Sequence, residues 1–285
     1  MTTSKTFTAT AAGSLWADVI SHLGSVNVTI DPTLTNAVVT VSTGDDEGPL
    51  ADAVRGTTMK ESTHQALNCL TVRVPEVEGN TMTMGNSTFS FGGNSMVVGQ
   101  NIGVIRGSVT GMIVNGGDIT IGGRKVVSGG RVVAPEGTVV SGGGMGTITL
   151  DLKLPSEMSS VRMETTSADL TVDGDLQVLD FHSLSGDVQA RGVHTLRVDT
   201  TSGDVEVERA DARVDVNSVS GDIEIGAYNG TELRAKTVSG DVDINATPAA
   251  HGSIVVNTVS GDITTRGTGN LHERVRTVSG KHRRR

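Results

Sequence analysis

Apolar positions in the second half of the chain alternate, and the alternation changes parity at a fixed place. Aligned on a recurring serine, Val161, Leu179, Leu196, Val214, Leu233 and Ile254 stand six residues before it. Met163, Phe181, Val198, Val216, Ala235, Val256 and Val275 stand four before it, and a Thr or Ser (Thr165, Ser183, Thr200, Ser218, Thr237, Thr258, Thr277) stands two before. Beyond the serine, Leu170, Val188, Val205, Ile223, Val242 and Ile263 come three residues later, and Val172, Ala190, Val207, Ile225, Ile244 and Thr265 five later. The positions between are mostly polar or charged. Even offsets before the serine and odd offsets after it describe an alternating strand that bends. The pattern predicts two strands joined by a corner, then a looser return loop such as Ala227-Tyr228-Asn229-Gly230.

The corner is one tripeptide. It reads Ser167-Ala168-Asp169, Ser185-Gly186-Asp187, Ser202-Gly203-Asp204, Ser220-Gly221-Asp222, Ser239-Gly240-Asp241, Ser260-Gly261-Asp262 and Ser279-Gly280-Lys281, in steps of 17 to 21 residues. One such unit cannot bury its own apolar side, whereas stacked units can, each hydrogen-bonding the next. The expected fold is therefore all-β, a single-stranded β-helix or β-solenoid of coils about 18–20 residues long. Seven coils at about 4.8 Å make a rod on the order of 30 Å. An antiparallel sandwich is the rival, but its turns have no reason to repeat one tripeptide.

Upstream the pattern is less regular. Residues 1–18 are Thr/Ala-rich and weakly patterned, with the single tryptophan, Trp16. Val26, Val28 and Ile30 alternate with polar residues, as do Val39 and Val41, and 67–74 reads as a strand ended by Pro75. Pro49 after the acidic turn 44–48 predicts a short helix to about Arg55, because proline suits a helix start and acids favour its N-terminus. In 76–146, glycine pairs (92–93, 116–117, 122–123, 129–130, 142–143) separate tiny apolar units such as Val126-Val127 and Val139-Val140. These predict three- or four-residue strands with glycine turns, forming the sides of a narrow coil. A lead-in strand, Ile148, Leu150, Leu152 and Leu154, stops at Pro155. The expected organisation is thus an N-terminal β segment with degenerate repeats (1–75), a glycine-rich β insertion (76–146), the repeat solenoid (147–280) and a basic tail (281–285).

Composition agrees with stacked β-structure: 37 glycines, 36 % hydrophobic residues, yet only 2 % aromatics. Val, Ile and Thr ladders need few aromatic rings. A formal net charge of −9 excludes a body-wide basic field, so no specific nucleic-acid partner is expected. The lone Cys69 excludes an internal disulfide and is expected to be a small buried hydrophobe. Residues 1–10 lack a signal-peptide pattern and no stretch is long and apolar enough for a membrane span, which points to a cytoplasmic protein, with peripheral envelope association as the alternative.

No catalytic constellation is found. The seven histidines share no ligand spacing, and 137–142 is followed by Gly143 rather than Lys, so no phosphate loop forms. Glu206 and Glu208 fall on outward positions. No cofactor is expected. Stacking lines up Asp169, Asp187, Asp204, Asp222, Asp241 and Asp262, whose carboxylates are expected to accept hydrogen bonds from their own corners, with glycine supplying an unusual backbone angle. A calcium ladder on these aspartates is the weaker alternative, since one carboxylate per coil is thin ligation. The tail, with four cations in 281–285, could dock an acidic neighbour.

The lead-in strand to Pro155 followed by Val-x-x-Val-Ser-Gly-Asp-Val/Ile units resembles the bacterial putative-adhesin family of β-strand-repeat domains of unknown function. The resemblance covers 147–280 well and extends to 19–75, where Gly24-Ser25-Val26-Asn27-Val28 is similar to a degenerate first repeat. It implies a β-solenoid without known enzymatic activity, with relatives at cell surfaces, and carries over no functional residues. The expected function is a non-enzymatic scaffold or interaction protein with a protein or envelope partner. The alternative is a self-assembling cytosolic filament protein, similar to bactofilins, joined through a final coil that has one strand and an open edge.

Overall fold

The computed structural model describes residues 2–64, 67–77 and 147–285, and the backbone of seven short strands between 80 and 132. The chain divides into two compact units, one of residues 1–76 with 147–285, the other of 77–146.

The first unit opens with β1 (Thr3–Ala12), β2 (Leu15–Ile20), β3 (Ser25–Ile30), β4 (Asn36–Thr43), helix α1 (Pro49–Gly56), β5 (Thr58–His64) and β6 (Leu67–Arg73). In the second unit, β7 (Asn80–Met84), β8 (Ser87–Phe91) and β9 (Val104–Arg106) form one antiparallel sheet. There β10 (Met112–Asn115), β11 (Asp118–Ile121), β12 (Arg124–Ser128) and β13 (Arg131–Val132) form another. These antiparallel ribbons replace the narrow coil expected for 76–146: strands joined by two-residue glycine links fold back on each other more readily than they wind. The glycine pairs themselves and Val139-Val140 lie outside the described residues.

The repeat half of the first unit contains β14 (Ile148–Leu154), β15 (Ser160–Glu164), β16 (Asp169–Ser183), β17 (Val188–Thr200) and β18 (Val205–Asn217). It continues with β19 (Ile223–Tyr228), β20 (Glu232–Lys236), β21 (Val242–Ala246), β22 (Gly252–Asn257), β23 (Ile263–Arg266), β24 (Leu271–Arg276) and β25 (His282–Arg284). Coils stack in parallel register, a β-solenoid of about seven turns. Arms before each corner run β6, β2, β15, the later halves of β16 to β18, then β20, β22 and β24. Arms after it run β14, β3, the earlier halves of β16 to β18, then β19, β21, β23 and β25. The core lies between these two arm sheets, where Leu179, Phe181, Leu196, Val198, Val214 and Val216 have no exposed surface.

The first end is finished differently. β4 runs antiparallel to both β1 and β14, and β5 antiparallel to β6. The strand after the second unit, β14, thus inserts between β3 and β4, closing pairs more than 100 residues apart in sequence. Helix α1 starts at Pro49 and buries Ala51, Ala53 and Val54. Lys5 Nζ donates to the carbonyls of Arg55 and Thr57 at 2.7 and 2.8 Å, placing a cation where helix carbonyls lack partners.

Four expectations change. Residues 1–18 supply β1 and most of β2, with Leu15 and Ala17 buried, so the weak pattern concealed two strands. Cys69 is half-buried rather than buried. Tyr228, placed in a loose return loop, ends β19 fully buried. The basic tail is a strand: His282–Arg284 pairs with β23, so the last coil has both arms. His282 and Arg284 occupy the inward parity of that arm. Glu273, whose side chain is only 9 % exposed, pairs with His282 at 3.4 Å and Arg284 at 3.3 Å. Charges where other coils carry Val and Ile make this coil a polar cap.

Candidate functional site

The four corners from Ser202 to Asp262 satisfy their backbone through three donors pointing in alternating directions. The serine N–H donates to the carbonyl one residue before the preceding coil's serine: Ser202 to Leu184 (2.9 Å), Ser220 to Thr201 (2.8 Å), Ser260 to Val238 (2.8 Å) and Ser279 to Val259 (2.8 Å). The glycine N–H donates forward to the next serine carbonyl, as from Gly203 to Ser220 and Gly240 to Ser260, both at 3.2 Å. The aspartate N–H donates back to the preceding aspartate's Oδ1. Asp187 donates to Asp169 (3.0 Å), Asp204 to Asp187 (2.9 Å), Asp222 to Asp204 (2.8 Å), Asp241 to Asp222 (2.7 Å) and Asp262 to Asp241 (2.7 Å). Lys281 closes the series, donating to Asp262 at 2.8 Å without offering a carboxylate of its own.

The aspartates therefore serve the neighbouring coil rather than their own corner. Like charges about 4.8 Å apart repel by about 0.9 kcal/mol in water. A hydrogen bond to a charged acceptor contributes about 1.5–3 kcal/mol net, which outweighs that repulsion at an exposed corner.

Glycine is required for close approach rather than for an unusual angle. Gly186, Gly203, Gly240, Gly261 and Gly280 show no left-handed φ. A Cβ on Gly203 would lie 2.2 Å from the carbonyl oxygen of Gly186, and one on Gly240 would lie 2.1 Å from that of Gly221. Within the corner, Ser183 Oγ accepts the Gly186 N–H at 2.7 Å, and Thr165 Oγ1 accepts that of Ala168 at 2.8 Å. Thr200 Oγ1 and Ser218 Oγ, at the same position, are buried without partners.

Two shallow hollows open on this unit. One follows the corner row from Ser185 to Ser260. The other lies on the outer face of the arms before the corner and includes His22, Glu164, His182 and Asp199. Around it basic and acidic side chains interleave: Arg162 meets Glu164 at 2.8 Å, and His182 meets Asp180 at 3.0 Å and Asp199 at 3.6 Å. Asp18, beside this group, has its pKa raised by burial, with Arg162 opposing the shift. No group of three or more His, Cys, Asp or Glu among the described residues is arranged to hold a metal ion, and the row of Asp187, Asp204, Asp222, Asp241 and Asp262 forms no such group.

The face after the corner is different. Glu206, Glu208 and Glu224 are exposed beside the aspartate row, and among the described residues no cation pairs with them or with Asp187, Asp204, Asp222 or Asp241. Ion pairs on this face lie before and after that stretch, through Arg191 with Asp173 at 3.3 Å, Arg266 with Asp243, and Arg283 with Asp262 at 3.0 Å. The polar cap of Glu273, His282 and Arg284 was missed from sequence. Its signal was present, because these residues fall at the inward offsets six before, three after and five after the last serine.

With this geometry the sequence matches the model of the Toastrack DUF4097 family over residues 23–283. The chain belongs to that family. Three crystal structures are similar to its Toastrack coils. A putative adhesin from Bacteroides fragilis is 12 % identical, with 100 % of this chain and 97 % of that one covered and a TM-score of 0.53. A putative adhesin from Parabacteroides merdae is 11 % identical (99 % and 95 % covered, TM-score 0.45). A putative cell adhesion protein from Clostridium sporogenes is 7 % identical (100 % and 99 % covered, TM-score 0.35). At these identities the likeness is one of fold. No functionally curated protein matches the sequence.

Proposed function

We propose that this chain is a non-enzymatic interaction protein, a β-solenoid that presents its outer surfaces to a protein partner at the cell envelope. The observation that carries this reading is the commitment of the corner residues. The serine, glycine and aspartate N–H groups along the corner hollow, with one oxygen of each aspartate, are spent on holding coil to coil, which suits a scaffold. The Bacteroides fragilis protein, described as a putative adhesin, supports a role in adhesion. No helix among the described residues is long and apolar enough to cross a membrane.

Affinity capture tests the proposal, using the full chain cross-linked to an envelope extract, with and without residues 76–146. A saturable protein partner is expected. Failure to retain any partner, together with turnover in a hydrolase substrate panel, would overturn it.

A further inference from the structure

The residue just before each corner serine breaks the burial rule of the coil. Leu184, Val219, Val238, Val259 and Val278 are 56, 49, 48, 47 and 70 % exposed, and they include most of the large exposed hydrophobics among the described residues. Parallel register stacks them in one line, with Thr201 in the same place on the coil between Leu184 and Val219. Single exposed apolar residues need no explanation, but a row recurring at one position on successive coils forms a continuous apolar stripe. Three residues further along each coil stands the aspartate row. One of its oxygens is used by the next coil, and it lies beside the unneutralised Glu206 and Glu224.

We propose that this corner edge is a docking surface for an extended, basic polypeptide segment that lays aliphatic side chains on the stripe and Lys or Arg along the aspartates. The inference rests on the interaction-protein reading and names its surface. Charge decides the occupant. A second copy docking stripe to stripe across a two-fold axis would bring two carboxylate rows together, whereas a cationic segment meets complementary charge. The stripe carries no aromatic ring on which sugars or bases could stack. The backbone at the corner is already hydrogen-bonded between coils, so recognition runs through side chains rather than strand addition. Same-face residues of an extended segment recur about every 6.7 Å against about 4.8 Å for the coils, so composition rather than strict register is recognised.

The test uses fluorescence anisotropy with the full chain and three labelled octapeptides, alternating Lys/Val, Lys/Ser and Glu/Val. Lys/Val is expected to bind at least tenfold more tightly than either comparator, and to weaken with salt. V219T/V238T/V259T places at three corners the residue that Thr201 already supplies, and D204N/D222N/D241N keeps the acceptor oxygen while removing charge. Each set is expected to weaken Lys/Val binding at least fivefold, with an unchanged melting temperature as the folding control. Should a triple variant not fold, Val238→Thr or Asp222→Asn alone is expected to give about a twofold loss. Equal binding of Lys/Val and Lys/Ser, or variants that bind like wild type, would overturn the proposal. So would a wild-type dimer that V219T/V238T/V259T dissociates. If these fail while the full chain still captures an envelope partner, only this surface is refuted and the interaction role stands.

Discussion

Replacing Gly240 by Ala isolates the close approach of successive corners. The added Cβ would sit 2.1 Å from the carbonyl oxygen of Gly221 and 2.7 Å from its carbon, both backbone atoms that cannot rotate away. Ordinary contact needs more than 3 Å, so the two coils must part by about 1 Å at this corner. That strains the bonds from Ser239 to Val219 (2.9 Å), Gly221 to Ser239 (3.2 Å) and Asp241 to Asp222 (2.7 Å). Losing about two of these costs about 2 kcal/mol, and overpacking adds about 1–3 kcal/mol. The smaller entropy of unfolded alanine offsets about 0.5 kcal/mol, leaving a net destabilisation of about 2.5–4.5 kcal/mol. At about 2–4 °C per kcal/mol for a chain of this size, thermal melting should fall by about 5–18 °C. Gly269→Ala is the control, because nothing lies within 4 Å of its Cβ and its φ is unremarkable. Calorimetry on both variants is the assay. If Gly240→Ala melts with Gly269→Ala, the steric account of the corner is wrong.

Three further outcomes are expected. Tyr228 is fully buried, its hydroxyl has no partner, and burial beside Glu232 pushes its pKa well up, so Tyr228→Phe should be neutral or stabilising by about 1 kcal/mol in urea unfolding. A clear loss of stability would show that the hydroxyl is bonded. Asp18 has a raised pKa in the fold, so folding favours its protonated form; its ionised form is a penalty above the folded pKa that fades as pH falls through it. Asp18→Asn should therefore raise the melting temperature at pH 7 more than at pH 3.5, and the reverse order would contradict the burial argument. Melting with millimolar calcium should match melting with chelator, because the aspartate row already serves the backbone; a rise with calcium would restore the metal reading.

The repeat half was readable from sequence because its information is local. The parity change at each serine follows from a strand's period of two, and the inward residues it selects, from Val161 to Ile263, are those found buried. Pro49 likewise marked its helix. What escaped depends on contacts between distant segments. Nothing in 148–154 says that the strand inserts between β3 and β4, and the Thr-rich alternation of β1 is faint because alternate residues face solvent. The corner motif was identified, but its chemistry was assigned to the wrong partners. Glycine answers to the carbonyl of the coil before, and aspartate to the N–H of the coil after, neither of which appears in a single repeat.

The aspartate ladder can be measured one rung at a time, by amide hydrogen exchange of Asp241 in NMR spectra of the wild type, Asp222→Asn and Asp222→Ala. The ladder predicts that the Asp241 amide, although at an exposed corner, exchanges slowly in wild type and in Asp222→Asn, and at least tenfold faster in Asp222→Ala, while Asp204 is unaffected. Rapid exchange in the wild type, or equal protection in Asp222→Ala, would contradict the claim that the Ser-Gly-Asp row is the seam holding coil to coil.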